Sequence, residues 1–279
     1  MALPNLSNSS YVAWLRHIQT FREPAQSTNP DTLVKHFLRP LDRWRAWSLS
    51  QADLDHLRSD PFYYYLLART KYYDEVIERA VLDGVRKIIG IGCGSDTRPY
   101  RFAELLRGHG VRVLECDQPI AIRAKQRIVS KWRCSDFVDY MPIDLNDDTW
   151  PDLVSVLGAP DVPKTLVMLE GVSPYIDTAN FRNFLQLLGR ELPPRSLVAY
   201  DFKVAGTKED FGAGGRTRIP FRLSPTWEAV STLHRECGMQ VTALEGGPAL
   251  TERFLPALRD SATPLFHEDW ATVSEVMER

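Results

Sequence analysis

The segment VRKIIGIGCGSDTR, residues 85–98, joins an apolar run to a glycine-rich turn. Its first half is a short run of mostly β-branched apolar residues that ends in glycine, which is typical of a strand buried on both faces of a parallel sheet. Its second half, GCGSDTR, predicts a tight turn into a helix, because glycine adopts the backbone conformations that such a turn needs. Residues 85–98 therefore predict the first strand, turn and helix of an α/β fold.

Further apolar runs follow, most of them separated by helix-length segments. Strand, helix and strand in repetition predict right-handed crossovers and a doubly wound, mostly parallel sheet. The C-terminal stretch FHEDWATVSEV, residues 266–276, is compatible with a last strand, antiparallel at an edge of the sheet. The other predicted strands are residues 111–116, 136–144, 164–170, 196–202 and 239–246, and the predicted helices include residues 120–132, 178–192 and 225–237.

Residues 1–84 carry helical signals and no convincing strand. Apolar residues recur at helical spacing through residues 11–21 and 33–41. Asp60 followed by Pro61 predicts the N-cap and first residue of a long helix that stops at Gly84. We therefore predict an N-terminal helical cap, residues 1–84, and an α/β domain, residues 85–279. Residues around 206–235, which include Gly206 and Gly212, are predicted to form a lid over the substrate.

Composition and charge restrict the class of protein. The chain has 279 residues, of which 44% are hydrophobic and 25% charged, and these values exclude collagen, a coiled coil and wholesale disorder. The formal net charge is -2, so we expect no nucleic-acid partner, because no positive field holds one by counterion release. The basic run in residues 123–133 is interpreted as a solvated helix face.

Cysteine spacing and hydropathy bear on metals and location. The four cysteines lack zinc-binding spacing, which predicts free thiols and no metal site. No apolar stretch is long enough to span a bilayer, and the first residues lack the pattern of a secretory signal. We therefore expect a cytoplasmic protein without a membrane partner. The sequence does not predict an oligomeric state.

Carboxylates follow three of the inner predicted strands, at the edge of the sheet where doubly wound folds bind ligands. Asp117 lies 23 residues after the glycine turn, a spacing at which an acidic residue accepts hydrogen bonds from ribose hydroxyls. Asp144 and Leu145 follow the next strand and suit the amine and the face of an adenine ring. Glu170 ends the strand after that. Together these residues predict a nucleoside-binding site.

The glycine turn distinguishes two nucleoside cofactors. A dinucleotide site prefers G-x-G-x-x-G, in which the following helix faces a pyrophosphate. Here Gly92 and Gly94 belong to G-x-G-x-G with Asp96 close behind, and a carboxylate there would repel a pyrophosphate. S-adenosylmethionine carries a sulfonium cation and no phosphate. The turn therefore favours a methyl donor over NAD, and a nicotinamide-dependent oxidoreductase stays open as an alternative.

Four motifs occur in order along the middle of the chain: ARTKYYD (68–74), GCGSDTR (92–98), ECDQP (115–119) and EGVSPY (170–175). This set resembles the leucine carboxyl methyltransferase family of class I S-adenosylmethionine-dependent O-methyltransferases. The resemblance implies a Rossmann-like, seven-stranded sheet. The family includes enzymes that methylate the C-terminal carboxylate of a phosphatase, and bacterial enzymes that decorate polyketides or peptide-derived metabolites.

The resemblance also implies roles for individual residues. Tyr175 would face the substrate and is the candidate catalytic residue, and Lys35 is a candidate for the family's N-terminal cofactor lysine. The implied cofactor-binding residues are Arg69 (methionine carboxylate), Gly92 and Gly94 (glycine turn), Asp117 (ribose), Asp144 and Leu145 (adenine) and Glu170 (near the sulfonium and amino group).

The predicted reaction is transfer of a methyl group to a carboxylate or hydroxyl oxygen of a small-molecule or peptide-like acceptor. The alternatives are a protein C-terminal carboxylate as acceptor and, less favoured, the oxidoreductase. A carboxylate acceptor is already ionised at neutral pH, whereas a hydroxyl requires a general base. The sequence shows no committed base, which leans toward a carboxylate or an acidic phenol.

Overall fold

The computed structural model describes residues 7–132, 135–147, 149–206, 219–258 and 264–278. The described residues form one sheet with helices on both faces. Its strands are β1 (Lys87–Ile91), β2 (Arg112–Asp117), β3 (Val138–Pro142), β4 (Thr165–Leu169), β5 (Leu197–Val204), β6 (Arg222–Leu223), β7 (Met239–Gly246) and β8 (Asp269–Val276).

Helices precede the sheet and connect its strands. None of the helices in the described residues is both long and apolar enough to cross a bilayer. The α-helices are α1 (Asn8–Phe21), α2 (Pro40–Trp47), α3 (Gln51–Arg58), α4 (Pro61–Leu82), α5 (Arg98–Arg101), α6 (Ala103–Gly108), α7 (Pro119–Val129), α8 (Pro151–Leu157), α9 (Thr178–Glu191), α10 (Trp227–Glu236) and α11 (Gly247–Phe254).

The strand order is β3-β2-β1-β4-β5-β8-β7, with β6 beside the end of β5. Strands β3, β2, β1, β4 and β5 are parallel to one another. The chain moves outward from β1 to β3 on one side and from β4 to β5 on the other, so the order reverses between β1 and β4. Connections at such a reversal leave on opposite faces and open a crevice at the carboxyl ends of the strands. The predicted fold class is confirmed.

Strand β8 is antiparallel, as the sequence suggested, but the prediction of an edge position is wrong. β8 lies between β5 and β7 and pairs with both. Thr272 and Ser274 are fully buried there, and their hydroxyl groups contact the Ala243 carbonyl at 3.0 Å and the His234 Nδ1 atom at 2.5 Å. The polar side chains make the strand look exposed in sequence. It is buried nevertheless, because these side chains find hydrogen-bond partners inside the protein.

Alternate residues of the inner strands pack into different helical layers. Ile88 and Met168 belong to the cluster that holds the aromatic stretch of α4, whereas Ile89 and Leu169 belong to the cluster that holds α9 and α10. This alternation is expected for strands that are covered on both faces. Helix α4 is therefore part of the core.

Of two helices predicted in the described part of the N-terminal region, the structure contains one and lacks the other. Asp60 is the N-cap of α4, and its carboxylate accepts a hydrogen bond from the Phe62 N–H group at 2.9 Å, which confirms the predicted helix start. The helix predicted over residues 33–41 is wrong. Val34–Phe37 is a 3₁₀ turn and α2 begins only at Pro40, because proline disfavours a helical residue before it and is tolerated in a first turn.

Part of the predicted lid belongs instead to the sheet and its helical layer. β6 pairs with β5, and α10 buries Val230 and Leu233 in the core. Residues 207–218, which include Gly212, Gly214 and Gly215 of the predicted lid, lie outside the described residues. Residues 227–235 are therefore part of a packed helix, and the lid over the substrate stays a prediction.

The cysteines within the described ranges are free thiols. Cys93, Cys116 and Cys237 are buried, and burial raises the pKa of each. Because the thiolate is the reactive form, these three side chains are chemically quiet. Cys134 lies outside the described residues.

His234 on α10 predicts an acid-sensitive fold. Its Nε2 atom lies 2.8 Å from the Tyr200 hydroxyl oxygen. Burial lowers its pKa to about 4, whereas the pKa of a histidine in an unfolded chain is about 6.5. The unfolded chain therefore binds more protons between these two pKa values, and stability falls as pH falls through that window. We expect this residue to remove about 2 kcal/mol of the free energy of unfolding between pH 7 and pH 5.

Urea unfolding at pH 7 and pH 5 measures this effect. His234→Asn, whatever its stability at pH 7, should lose less stability on acidification than the wild type. An equal loss in both proteins would contradict the assignment.

Candidate active site

A cavity of about 410 Å³ opens at the carboxyl ends of β1 and β4, where the strand order reverses. Of the predicted site residues, Arg69, Gly92, Gly94, Glu170 and Tyr175 line it. They come from helix α4, the turn after β1 and the segment after β4. The structure thus brings together residues that are up to 106 positions apart in sequence.

The turn after β1 brings bare backbone to the cavity. Gly92 has φ +67°, and a Cβ atom there would lie 2.4 Å from the Val172 Cγ2 atom. The Gly92 N–H group donates to the Cys116 carbonyl at 2.8 Å, which ties the turn to β2. Gly90 also lines the cavity, and a Cβ atom built on it would meet no atom within 4 Å. The glycines therefore permit both the packing of the turn and the open space above it.

Asp117 lies directly beside this turn. Its Oδ2 atom accepts a hydrogen bond from the Gly94 N–H group at 2.7 Å, and its Oδ1 atom accepts one from the Gln118 N–H group at 2.7 Å. Each carboxylate oxygen has a second lone pair. The carboxylate is therefore fixed in position and can still accept hydrogen bonds from a pair of hydroxyl groups.

Asp144 and Leu145 follow β3, which lies two strands away from β1 in the sheet. The Asp144 Oδ2 atom accepts a hydrogen bond from Gln118 Nε2 at 3.0 Å, and Leu145 is buried in the core. Neither is among the described residues that line the cavity, and the same is true of Asp117. The three residues form a row leading away from the glycine turn, so the predicted nucleoside site extends beyond the cavity.

Glu170 is clamped by two buried arginines. Its Oε1 atom lies 3.1 Å from Arg69 Nε and its Oε2 atom lies 2.6 Å from Arg98 Nη1. Arg98 also pairs with Asp96 at 3.1 Å and with Asp74 at 2.7 Å. Burial alone would raise the pKa of Asp96, but the charges of Arg98 and then of Lys125 lower it below its usual range. Both acids in the cavity wall are therefore committed to ion pairs.

Asp201 is a site residue that the sequence did not reveal. It accepts a charged hydrogen bond from Arg69 Nη1 at 2.9 Å and another from the Gly171 N–H group at 2.6 Å. Burial raises the pKa of Asp201 against the opposing effect of Arg69, and Asp269 raises it further. Asp201 lies inside β5 rather than at its end, so the search at strand ends misses it.

The N-terminal cation at this cavity is Arg16, not Lys35. Arg16 Nη2 donates to the Ser95 carbonyl at 3.0 Å and to the Ser95 hydroxyl oxygen at 2.6 Å, and Arg16 Nη1 pairs with Asp31 at 3.1 Å. Lys35 lines a separate cavity beside Phe21. Nothing in the sequence distinguishes Arg16 from other arginines on amphipathic helices.

Tyr175 lies at the mouth of the cavity under the first turn of α1. Its hydroxyl oxygen accepts a hydrogen bond from Asn8 Nδ2 at 3.1 Å, and its carbonyl accepts one from Asn146 Nδ2 at 3.1 Å. The side chain is 41% exposed. Tyr175 is therefore a partly exposed residue at the mouth of the cavity, beside the neutral polar groups of Asn8 and Ser9.

One residue of the basic run is buried under the glycine turn. Lys125 is 1% exposed, lies 2.5 Å from Glu115 Oε1 and donates to the Cys93 carbonyl at 3.2 Å. Arg123 and Arg127 are exposed. The solvated-face interpretation is therefore wrong for Lys125, because the buried face of α7 carries it together with Ile122 and Val129.

A family model described as leucine carboxyl methyltransferase matches residues 9–189. The chain belongs to this family. The resemblance drawn from the four motifs is thereby confirmed. The matched range includes the glycine turn, all three strand-end carboxylates and Tyr175.

Relatives of this family member come from actinobacteria. A Streptomyces coelicolor protein assigned as an S-adenosyl-L-methionine-dependent methyltransferase is 25% identical over 219 residues, which is 77% of this chain and 74% of the relative. A Mycobacteroides abscessus protein assigned likewise is 32% identical over 153 residues, which is 54% of this chain and 46% of the relative. Several other matches also span about half of the relative's length, such as 50% for one from Frankia alni.

Among solved structures, the crystal structure of the [4+2]-cyclase SpnF superposes with a TM-score of 0.50 at 14% sequence identity. The superposition covers 75% of this chain and 82% of the cyclase. This likeness concerns the fold alone, because one fold hosts many reactions. The reaction of the family member has to be argued from its site.

Proposed function

We propose that this family member transfers the methyl group of S-adenosylmethionine to a carboxylate or hydroxyl oxygen of a small-molecule acceptor with polyketide-like or peptide-like chemistry. The observation that carries the proposal is the cavity at the strand reversal, lined by Gly92, Glu170 and Arg69, with Asp117 bonded to its glycine turn. Family membership and the assignments of the relatives supply the methyl donor.

The residues at the cavity suit that donor. In this proposal the free lone pairs of Asp117 accept the ribose hydroxyls, and the row of Asp144 and Leu145 holds the adenine. Open space beside Gly90 admits the cofactor backbone. Glu170 supplies negative charge near the sulfonium and amino group, and Arg69 lies beside it for the methionine carboxylate. When bound, S-adenosylmethionine supplies a methyl group activated by a sulfonium cation.

The acceptor side favours a carboxylate. The two acids among the described cavity-lining residues, Asp96 and Glu170, are both paired with Arg98, so both carboxylates are already engaged by a cation. A carboxylate acceptor needs no base, since it is ionised at neutral pH. In this proposal Tyr175 and Asn8 hydrogen-bond the acceptor oxygen and hold it in line with the methyl group, and proximity supplies most of the acceleration.

The N-terminal helices, within residues 1–84, act as a cap in this proposal. The first turn of α1 lies over the mouth, where Asn8 contacts Tyr175. Covering the reacting atoms excludes water, which strengthens electrostatic interactions inside the site and prevents side reactions.

Methyl transfer from labelled S-adenosylmethionine tests the proposal. The acceptor panel pairs free carboxylic acids with their amides, peptides with free and amidated C-termini, and phenols with their methyl ethers. We expect label in free acids or phenols, and alkali should release it from a methyl ester but not from a phenol ether. Tyr175→Phe should raise the acceptor KM and leave the affinity for S-adenosylhomocysteine unchanged.

Each other outcome has a defined meaning. Label only in peptides with a free C-terminus would support the alternative of a protein carboxyl methyltransferase. Label only in amines would overturn oxygen as the acceptor atom. Binding of NAD with hydride transfer, and no methyl transfer to any acceptor, would overturn the proposal.

A further inference from the structure

A second cavity, of about 440 Å³, lies between the C-terminal half of α1 and helix α2. Its walls include Phe21, Trp44 and Trp47, whose side chains are 48%, 58% and 73% exposed. A contiguous group of exposed aromatic side chains is typical of a binding surface, whereas single exposed apolar residues are common on any protein. None of the described residues lining this cavity lines the first one. On α1, Arg16 lines the first cavity and His17 lines the second.

Three cationic side chains line this hollow without a carboxylate partner among the described residues, and one of them, Arg22, donates hydrogen bonds to the carbonyls of Ala46, Trp47 and Leu49. Lys35 and Arg43 both line it, and the Lys35 Nζ atom lies 5.8 Å from the centre of the Phe21 ring. The acid beside Arg43 in sequence is already engaged: Asp42 pairs with Arg39 at 2.7 Å and with Arg45 at 3.5 Å. The hollow therefore combines apolar walls with uncompensated positive charge.

The positive charges of Lys35 and Arg43 also affect the pKa values of two nearby histidines, His17 and His36. Burial, and after it the charges of Arg43 and Lys35, lower the pKa of His17 to about 4. Burial, Lys35 and Arg43 also lower the pKa of His36. Both imidazoles therefore lie beside the same positive charges, those of Lys35 and Arg43.

We propose that the second cavity binds an anionic small molecule with an aromatic or aliphatic body. The carboxylate or phosphate group lies between Lys35 and Arg43, and the body packs on Phe21, Trp44 and Trp47. Charge complementarity selects the anion, and the ring faces supply apolar contact area. The site is independent of the proposed methyl transfer, because it shares no described lining residue with the first cavity.

Titration calorimetry on the full chain tests the proposal with defined probes: 2-naphthoate, its neutral amide, decanoate and inorganic phosphate. S-adenosylhomocysteine is present in one series, so that binding in the first cavity is recognised by competition. We expect 2-naphthoate or decanoate to bind about tenfold more tightly than the amide or inorganic phosphate, as one charge-assisted contact provides. Naphthoate and decanoate together distinguish an aromatic from an aliphatic body.

Two variants locate the binding. The double variant Lys35→Gln/Arg43→Gln should weaken binding of the acid by about tenfold or more and leave binding of the amide unchanged. Arg123→Gln, an exposed arginine on α7, is the matched control and should change nothing. Circular dichroism verifies that each variant is folded.

Three results would overturn the proposal. The first is equal affinity for the acid and the amide, and the second is unchanged affinity for the acid in the double variant. The third is self-association in sedimentation equilibrium that Trp47→Ala abolishes, because the hollow would then be an interface between two copies of the chain.

Discussion

Replacing Arg69 with alanine should lower the free energy of unfolding by roughly 3–5 kcal/mol. Arg69 is 6% exposed, and its guanidinium lies between Glu170 at 3.1 Å and Asp201 at 2.9 Å. After its removal Glu170 keeps Arg98, but Asp201 keeps only the Gly171 N–H group among the contacts described above. An uncompensated buried charge is the costliest of these changes.

Urea unfolding measures this loss against a matched control. Arg112→Ala removes an arginine that pairs with Asp139 at 2.8 Å, where the two side chains are 55% and 63% exposed, and should cost about 0–1 kcal/mol. Adding Asp201→Asn to Arg69→Ala removes the stranded charge and should restore part of the stability. Equal losses for Arg69→Ala and Arg112→Ala would contradict the buried ion-pair assignment.

Gly92→Ala should weaken S-adenosylhomocysteine binding by about tenfold or more. The residue has φ +67°, and the new Cβ atom would lie 2.4 Å from Val172 Cγ2. A left-handed conformation costs a non-glycine residue about 1–2 kcal/mol, and relief of the clash requires movement of the turn or of the segment after β4. Either movement displaces the backbone that lies under the cofactor in the proposed binding site.

Calorimetry of S-adenosylhomocysteine binding measures this effect. Gly108→Ala is the matched control, because a Cβ atom there meets nothing within 4 Å, and its affinity should equal that of the wild type. Gly92→Ala/Val172→Ala removes the clash but not the backbone strain, so it should recover part of the affinity. Full affinity in Gly92→Ala would show that the turn does not hold the cofactor.

The parallel part of the fold could be predicted from the sequence because its strands are buried on both faces. Residues 85–91 and 164–169 are short apolar runs, and such runs followed by helices permit few arrangements. The predicted edge position of β8 is wrong because Thr272 and Ser274 look exposed in sequence but find hydrogen-bond partners inside the protein. The local sequence pattern shows which side chains are polar, but it does not show which hydrogen-bond partners the tertiary structure provides for them.

The candidate site shows the same division. Gly92 and Glu170 follow strands directly, so the position of a strand end predicts their meeting at the first cavity. Arg16 and Asp201 come from the interior of a helix and a strand, and their presence at the site depends on how α1 docks and on which residues of β5 extend past β4. The interpretation of Lys125 as a solvated residue is wrong because its charge is balanced by a buried partner, Glu115. The sequence pattern does not reveal that partner.

A crystal structure of the protein with S-adenosylhomocysteine tests whether the first cavity binds the cofactor. We expect the ligand in the cavity between the glycine turn and Glu170, with its ribose hydroxyls hydrogen-bonded to Asp117. Ligand bound elsewhere, or bound in this cavity without contact to Asp117 and the Gly92 backbone, would contradict this expectation.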